Sequence, residues 1–287
     1  MIKKHLFTFA RRFANFIFNN QLHLQFSSKM SAQAANATTK AAIRQRIWDY
    51  IEKNDLANFP RPVHHRIPNF KGANAAGEKV VAMEIFKKAK TVKVNPDKPQ
   101  EWVRYKTLEE KKLLLVPTPR LKTGLFNRIV PPPGADTAML KRCATREGIT
   151  NYSTPVGLEH KVNIDLIVIG SVAVSPKGYR IGKGEGYADM EYAMMVTMGA
   201  VNQDTVVVST VHDCQVVDIP EDLTDGHDLM VDYIVTPTKI IICEGEKQRP
   251  TGIQWSKVTP KMLKEIPVLK DLREKERRLG RDVTLRE

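Results

Sequence analysis

The sequence predicts an α/β fold built on a mostly parallel, doubly wound sheet. Segments with strand character alternate with segments of helical periodicity along the chain. The strongest strand segment, residues 162–174, is apolar and β-branched, as expected of a strand that is buried on both faces. With 287 residues, of which 42% are hydrophobic, the chain is long enough to bury one large α/β core.

The predicted elements follow in order along the chain. A helix over residues 41–51 carries Ile43, Ile47 and Tyr50 on one side, and prolines then keep residues 59–68 irregular. Further helices are expected at 77–90, 136–146 and 187–200, and further strands at 91–94, 113–116, 204–211, 232–237 and 239–243.

Charge divides the chain into parts. Residues 1–48 contain eight Lys or Arg and no acid, so that only +5 of the net charge of +13 belongs to the rest. A mildly basic body does not require a nucleic-acid partner, although a basic patch could hold RNA or an anionic substrate weakly. We expect an N-terminal extension that is presequence-like or disordered at 1–38, an α/β domain at 39–245 and a charged tail at 246–287.

Residues 1–30 have the features of a targeting segment. Aromatic residues share one helical face opposite Arg11, acids are absent and serines follow, which is typical of a mitochondrial presequence. The apolar run is too short and too charged to span a bilayer, and we expect no membrane partner. Met30 offers a second start, and translation from it would give a cytoplasmic protein. The sequence leaves both locations open, and it does not indicate an oligomeric state.

The cysteines and paired histidines give little support to a metal site. Cys143, Cys214 and Cys243 are far apart and form no C-x-x-C pair, so we interpret them as reduced, mostly buried thiols. His64 and His65 are adjacent, and adjacent side chains in an extended segment point to opposite faces. A surface or hydrogen-bonded role is therefore favoured for them.

The run RIGKGEGYAD, residues 180–189, is the strongest functional signal. Glycine has no Cβ, so a backbone with alternating glycines can bring its N–H groups close to an anion. The run lies between a predicted buried strand and the helix at 187–200, whose N-terminus also favours phosphate. Asp189 could hold a magnesium ion that bridges phosphate oxygens, whereas the competing interpretation is a glycine-rich turn with solvated charges. The candidate phosphate-binding residues of the run are Arg180, Gly182, Lys183, Gly184 and Gly186.

The order of the motifs resembles the 5-formyltetrahydrofolate cyclo-ligase family. Lys40 and Arg44 on the first helix are followed by the buried strand, the glycine run, the His-Asp-Cys-Gln sequence at 212–215 and the run at 228–237. The resemblance covers about residues 40–243. Two insertions make the chain most similar to one subgroup of that family; they lie at 59–70 and 114–121.

The resemblance implies a three-layer, Rossmann-like α/β sandwich that uses ATP and magnesium to close 5-formyltetrahydrofolate into 5,10-methenyltetrahydrofolate. Such a reaction needs cations on the transferring phosphoryl group and few groups that act covalently, and we assign no catalytic residue. By resemblance, Lys40 and Arg44, four residues apart on one helix face, would reach the ATP phosphates together with the glycine run, and Asp189 would bind the metal.

The sequence departs from the family pattern at three places. Glu185 stands where active relatives carry Lys or Gly, and a carboxylate about 4 Å from a phosphate is repelled by roughly 4 kcal/mol unless it turns away or binds a cation. Ala188 replaces the second tyrosine of a Gly-Tyr-Tyr-Asp ending. Residues 70–77 contain no acid, although family members place a folate-contacting glutamate there.

The sequence therefore leaves three alternative functions open. The first is an ATP-dependent ligase that acts on a folate or a related small molecule. The second is a non-catalytic protein that uses the same fold to bind RNA or a protein partner. The third is a phosphate-binding module with another substrate.

Overall fold

The structure, a computed structural model, describes residues 39–121, 124–245 and 249–286. The predicted extension at 1–38 lies outside these residues. The strands are β1 (Thr91–Val94), β2 (Leu113–Pro117), β3 (Phe126–Ile129), β4 (Ser153–Val156), β5 (Leu166–Gly170), β6 (Ala173–Val174), β7 (Arg180–Ile181), β8 (Val206–Thr210), β9 (Tyr233–Val235) and β10 (Ile240–Ile242). The helices are α1 (Lys40–Lys53), α2 (Ala73–Ala82), α3 (Glu84–Lys88), α4 (Glu101–Glu109), α5 (Thr137–Cys143), α6 (Arg146–Asn151), α7 (Tyr187–Thr197), α8 (Pro260–Glu265) and α9 (Pro267–Arg278).

Eight of the described strands form one sheet in the order β10-β9-β8-β5-β1-β2-β3-β4. The five central strands, from β9 to β2, are parallel, and the antiparallel strands lie at the two edges. The chain adds β2 on one side of β1 and then returns to place β5 on the other side. The prediction of a mostly parallel α/β sheet is confirmed, and its topological switch point lies between β1 and β5.

Side chains of β5 alternate between two hydrophobic cores. Ile167 and Ile169 pack with residues of α7 and α9 on one face of the sheet, whereas Leu166 and Val168 pack with residues of α2 and α4 on the other. A strand that is buried on both faces has this period of two. The sheet is therefore the middle of three layers.

The predicted strand at 162–174 is wrong in its length. The sheet strand ends at Gly170, and β6 pairs instead with β7 in a separate two-stranded sheet. Gln215 explains the interruption, because its Nε2 donates to the carbonyl oxygens of Ser171 at 2.8 Å and Val172 at 3.1 Å. These carbonyl groups are bonded to a side chain where a longer strand would bond to its neighbour.

Two predicted helices are also each divided into two. The helix expected at 77–90 begins earlier, at Ala73, and breaks at Met83, whose ψ of 142° is extended. The helix expected at 136–146 ends at Cys143, since Thr145 starts a second helix by accepting a hydrogen bond from the Gly148 N–H. Side-chain capping of this kind competes with continuation of a helix.

The charged segment after residue 249 packs on the domain through one face. In α9, Val268, Leu269 and Leu272 are buried against the core that contains α7. Trp255 Nε1 also donates to Glu276 Oε2 at 2.6 Å. All three cysteines of the chain are buried. None of the helices in the described ranges combines the length and the hydrophobicity that crossing a bilayer requires.

Candidate phosphate-binding site

The glycine run joins β7 to α7 near the carboxyl edge of the sheet. Gly184 and Gly186 have φ values of +100° and +71°, which favour glycine over other residues. Gly186 is the N-cap residue of α7, and no described side chain caps this helix. The first-turn N–H groups of α7 are thus available to an anion, which the helix dipole also favours. The first two residues of the run form the short strand β7, so its glycines follow β7 and not a strand of the main sheet as the sequence predicted.

Arg44 crosses from α1 to the glycine run. Its Nε donates to the carbonyl oxygen of Gly182 at 2.7 Å, and its guanidinium lies against Gly184, where a Cβ would approach Arg44 Cζ to 3.2 Å. Burial lowers the pKa of Arg44, with Asp228 acting in the opposite direction and Arg180 adding to the decrease. The structure thus brings the predicted residue Arg44 directly onto the predicted loop.

Lys40 and Arg180 are already paired with carboxylates. Lys40 Nζ lies 2.5 Å from Asp228 Oδ2, and Arg180 Nη1 lies 3.2 Å from Asp189 Oδ1. Arg180 also donates from Nε and Nη2 to the carbonyl oxygen of Gly170, at the end of β5. Arg180 therefore ties the glycine run to the sheet, in addition to contributing positive charge.

Asp189, the predicted metal ligand, has a structural contact as well. Its Oδ1 accepts from Arg180 and, at 3.0 Å, from the backbone N–H of Leu229. In the part of the chain that the structure describes, both hydrogen bonds to this carboxylate go to Oδ1. Asp189 Oδ2 is consequently the atom that a cation would contact.

Glu185 binds a cation within its own loop. Its Oε2 lies 2.8 Å from Lys183 Nζ, and both side chains are more than one-third exposed. Of the two ways in which the sequence analysis allowed the carboxylate to avoid a phosphate, the structure has the one in which it pairs with a cation. Ala188 lies in the first turn of α7 and packs against the adjacent core without an aromatic ring.

A buried polar layer beneath the loop was missed from the sequence. Lys93 Nζ lies 2.8 Å from Glu191 Oε2 and 2.5 Å from Asn95 Oδ1, and all three residues are buried. Burial raises the pKa of Glu191, with Lys93 acting in the opposite direction. The signal was present, since Lys93 interrupts an apolar strand and Glu191 an apolar helix face, and buried charges of this kind are rarely unpaired.

Asp97 is a second carboxylate that the sequence analysis missed. It follows β1, and burial raises the pKa of its carboxyl group, while the charge of Lys183 has the largest opposing effect. Arg104 fixes the backbone here by donating to the carbonyl oxygens of Asn95 and Asp97, at 2.5 and 3.0 Å. Desolvation lowers the pKa of the buried Arg104 to about 10. The structure thus places a carboxylate near the loop on its sheet side.

Residues 57–72, here called the strap, cross the carboxyl ends of the central strands. The strap is closed at its base by a bridge between Ala57 and Phe70. Its Ile67 lies against Gly170 at the end of β5, and its Gly72 lies against Pro237 after β9. The insertion recognised in the sequence therefore covers the edge at which doubly wound sheets bind ligands. It also places the acid-free stretch 70–77 at the start of α2.

Asp225, His227 and Asp228 form a group whose ligand atoms lie within 4.8 Å of one another. Two lysines already pair with the side chains of this group. Lys40 pairs with Asp228, and Lys257 Nζ lies 3.3 Å from Asp225 Oδ2 and 2.9 Å from His227 Nδ1. We therefore assign it to charge pairing. Of the paired histidines, His64 Nε2 lies 2.7 Å from Asp49 Oδ1, so it takes part in a hydrogen bond.

The mostly parallel α/β sheet with flanking helices and the glycine run together define a cyclo-ligase-like class of α/β protein. Residues 36–237 match the model of the 5-formyltetrahydrofolate cyclo-ligase family, and the chain belongs to that family. The subgroup expected from the insertions is also confirmed. The chain is 62% identical over 249 residues to the methenyltetrahydrofolate synthase domain-containing protein of Bos taurus, and 60% identical over 255 residues to that of Mus musculus.

These two alignments cover 87% and 89% of the chain. The chain spans about two thirds of the length of these relatives, 66% and 68% respectively. Among solved structures, it is similar to the NMR structure of Aquifex aeolicus 5,10-methenyltetrahydrofolate synthetase. That match has a TM-score of 0.44 and 21% sequence identity, and it covers 72% of this chain and 94% of the other.

Proposed function

We propose that this chain binds ATP with magnesium at the glycine run and uses it to close a formylated folate into its methenyl form. The observation that carries the proposal is the position of Arg44. Its guanidinium lies on Gly184, a glycine with a φ of +100°, and the run itself contributes Arg180 and Lys183. Lys40 lies one turn before Arg44 on the same helix. Three cations, Arg44, Arg180 and Lys183, thus lie on or within a loop that precedes a helix N-terminus, which already favours an anion.

The residues present fit a triphosphate. A Cβ at Gly184 would approach Arg44 Cζ to 3.2 Å, and the φ of +100° disfavours other residues, so glycine suits this contact. Arg44 donates to a carbonyl oxygen, a weaker acceptor than a phosphate oxygen, and it can turn toward a ligand without leaving a carboxylate behind. When bound, ATP supplies the phosphoryl group that makes the formyl oxygen a leaving group, and magnesium neutralises charge on the phosphates.

The residues also fit a magnesium ion. Magnesium is commonly held by one or two protein carboxylates together with phosphate oxygens and water. Asp189 is anchored through Oδ1 by Arg180 and by the Leu229 N–H, which leaves Oδ2 to the ion. The role of Asp189 in tying α7 to Leu229 is compatible with this second role.

Lys183 has to change its partner when a phosphate binds. Its pair with Glu185 is solvent-accessible, and such pairs contribute only about 0–1 kcal/mol. Exchange of the Glu185 carboxylate for a phosphate oxygen is therefore inexpensive. The expected penalty of Glu185 is smaller than the roughly 4 kcal/mol estimated for an unpaired carboxylate facing a phosphate.

For the substrate end of the site, we infer a carboxylate from another element than the sequence analysis expected. Residues 70–77 contain no acid, but Asp97 follows the carboxyl end of β1, and the charge of Lys183 acts on its carboxyl group. We assign to Asp97 the contact with an N–H group of the substrate. Because the pKa of Asp97 is raised, this contact weakens once the carboxyl group is protonated at low pH.

Calorimetry with the full chain tests the proposal. We expect heat on titration with Mg-ATP, and subsequent addition of 5-formyltetrahydrofolate should give the methenyl product, detected by its absorbance. Lys183→Ala should weaken Mg-ATP binding by about tenfold, since a hydrogen bond to a charged group contributes about 1.5–3 kcal/mol.

Lys177→Ala is the matched control, because it removes an equal charge from the exposed turn between β6 and β7. It should leave the affinity unchanged. Absence of heat with the wild-type chain, or equal losses in the two variants, would contradict the phosphate site. Nucleotide binding without product would contradict the ligase reaction and leave the site in place.

A further inference from the structure

The two edge strands of the main sheet differ in what they present to solvent. β4 lies at one edge and β10 at the other, and none of the described strands pairs with the outer side of β10. A free edge strand carries a row of unpaired N–H and C=O groups, which proteins usually protect with proline, charge or a covering element. The alternation of hydrogen bonds along each strand determines which of its residues point these groups outward.

Proline protects the β4 edge. The N–H of Val130 donates to the carbonyl oxygen of Tyr152, so the even-numbered residues of this strand bond to β3 and the odd-numbered ones point their backbone groups outward. The outward residues are Ser153 and Pro155, and proline has no N–H to donate. A further strand could therefore not form a regular ladder on this edge.

β10 lacks such protection in the part of the chain that the structure describes. The carbonyl oxygen of Lys239 accepts from the N–H of Thr236 at 2.9 Å, so the odd-numbered residues of this strand bond to β9. Ile240 and Ile242 consequently point both their N–H and their C=O groups away from the sheet. Both outward positions can thus donate and accept hydrogen bonds from a further strand.

Ile240 and Ile242 also expose their side chains. They are 44% and 65% exposed, and they lie opposite Val235 and Tyr233 on the face of the sheet that packs against α2 and α4. Ile241, between them, packs against the core on the other face. β10 therefore combines a free hydrogen-bonding edge with an uncovered apolar stripe, which is the pattern that an added strand recognises.

The sequence of this strand is complementary to itself when two copies run antiparallel. Pairing about Ile241 places Ile240 of one copy opposite Ile242 of the other, so that both exposed side chains of each copy are covered. A shift of two residues in either direction would instead place an isoleucine opposite Thr238 or Glu244. The isoleucines thus favour one register over its neighbours.

Charge favours the same arrangement. Lys239 and Glu244 are exposed and lie at opposite ends of the strand. Antiparallel pairing brings the Lys239 end of one copy to the Glu244 end of the other, whereas parallel pairing would place like charges side by side. A second copy of this chain is therefore complementary to the edge in hydrogen bonding, apolar contact and charge.

We propose that β10 pairs with β10 of a second copy, antiparallel and about a twofold axis at Ile241, so that the main sheets of the two copies become one continuous sheet. Each Ile240–Ile242 pair then exchanges two hydrogen bonds between the copies. The contact spans only one short strand of each copy, and interfaces of such a small area are transient. The dimer should therefore exchange with the monomer.

Sedimentation velocity of the full chain tests the proposal. We expect a monomer–dimer equilibrium that shifts toward the dimer as the concentration rises. Ile242→Lys should raise the dissociation constant by about tenfold or more, because each dimer loses two isoleucines and gains two ammonium groups in the contact. Leu279→Lys is the matched control, since Leu279 is also 65% exposed but lies at the end of α9. A monomer at every concentration, or equal effects of the two substitutions, would overturn the proposal.

Exchange of the terminal charges distinguishes a second copy from a strand of another protein. Lys239→Glu should weaken association several-fold, because like charges then meet at both ends of the contact. The double variant Lys239→Glu/Glu244→Lys restores opposite charges and should recover the affinity of the wild-type chain. A double variant as weak as Lys239→Glu would overturn the antiparallel arrangement.

Disulfide formation tests the register. Chains with Ile240→Cys and chains with Ile242→Cys, mixed and oxidised, should form a covalent dimer of the two different chains, because these positions lie opposite each other with Cβ atoms about 4.5–5.5 Å apart. Either variant alone places its new cysteines diagonally, about 7–8 Å apart, and should cross-link much more slowly. The three native cysteines are buried. Equal cross-linking of mixed and unmixed chains would overturn the pairing about Ile241.

Discussion

Two Lys–Glu pairs have the same N–O distance, one just before α7 and one that includes a residue of α7. Lys183 and Glu185, in the glycine run, are 2.8 Å apart with side chains that are 36% and 39% exposed. Lys93 and Glu191, in β1 and α7, are also 2.8 Å apart, but their side chains are 1% and 7% exposed. Equal geometry thus occurs in very different solvent environments.

The difference in exposure indicates which charged side chains can leave their partner to bind a ligand. An exposed pair contributes about 0–1 kcal/mol, so either partner can be exchanged for a phosphate or a solvent ion. A buried pair has lost its hydration, and removal of one partner leaves an uncompensated charge that costs about 3–5 kcal/mol. We call Lys183–Glu185 the upper pair and Lys93–Glu191 the lower pair. We infer that the upper pair can exchange its partners, whereas the lower pair is a fixed support for the loop.

Replacement of Lys93 tests this difference with the largest expected effect. Lys93→Met should lower the free energy of unfolding by about 3–5 kcal/mol, because Glu191 remains buried without a cation. Lys183→Met, the same change in the upper pair, should cost no more than about 1 kcal/mol. Urea unfolding of both variants measures the comparison.

The double variant Lys93→Met/Glu191→Leu provides the control. Well-packed apolar residues replace buried ion pairs at little or no cost, so stability should return close to that of the wild-type chain. If Lys93→Met and Lys183→Met had equal effects, burial would not separate the two pairs.

Replacement of Arg44 tests the exposed, ligand-binding part of the site, and its expected effect on affinity is the next largest. Arg44→Gln should weaken Mg-ATP binding by roughly ten- to a hundredfold, as expected for one charge-assisted hydrogen bond of about 1.5–3 kcal/mol. Lys53→Gln, at the exposed end of the same helix, is the control for the loss of a positive charge. Isothermal titration measures both, and an Arg44→Gln affinity equal to that of Lys53→Gln would exclude Arg44 from the site.

The two pairs also differ in how well their surroundings could be predicted from the sequence. The spacing of Gly182, Gly184 and Gly186 is local, and it predicts both the loop and the helix that starts after it. Lys93 and Glu191 are 98 positions apart, and only the tertiary fold, which brings α7 close to β1, places them together. A lone charge in an apolar run indicates that a partner exists without indicating which residue it is.

The lengths of some elements were predicted incorrectly for a related reason. The strand at 162–174 has uniform β character, yet it ends at Gly170 because Gln215, 45 positions later, bonds to the carbonyl group of Ser171. Local propensity carries no information on such distant side-chain contacts. The fold class follows from patterns that recur throughout the chain, and it was therefore predicted correctly, whereas the ends of single elements depend on individual contacts.

Cys214 tests whether desolvation dominates at this edge of the sheet, with an effect of intermediate size. Burial raises the pKa of its thiol from 9.0 to about 12. Because the folded-state pKa is the higher one, the stabilisation is complete below pH 9 and is lost as the pH rises toward 12.

At pH 10 the wild-type chain should therefore be less stable relative to Cys214→Ala than at pH 8, by about 1.4 kcal/mol. Comparison of the two chains cancels the titration of other groups. Urea unfolding at both pH values measures the change, and a pH-independent difference would indicate that the thiol is solvated.

Glu185 gives the smallest effect and the most direct information on the loop. Glu185→Gln removes the carboxylate that competes with phosphate for Lys183, at an exposed pair that contributes about 0–1 kcal/mol. Mg-ATP affinity should rise by roughly two- to fivefold, and the gain should shrink at high salt, since exposed charges are screened. Glu78→Gln, an exposed change on α2, should leave the affinity unchanged. A lower affinity for Glu185→Gln would mean that the carboxylate helps to hold the nucleotide's magnesium, and Glu185 would then belong to the binding site as a ligand rather than as a competitor.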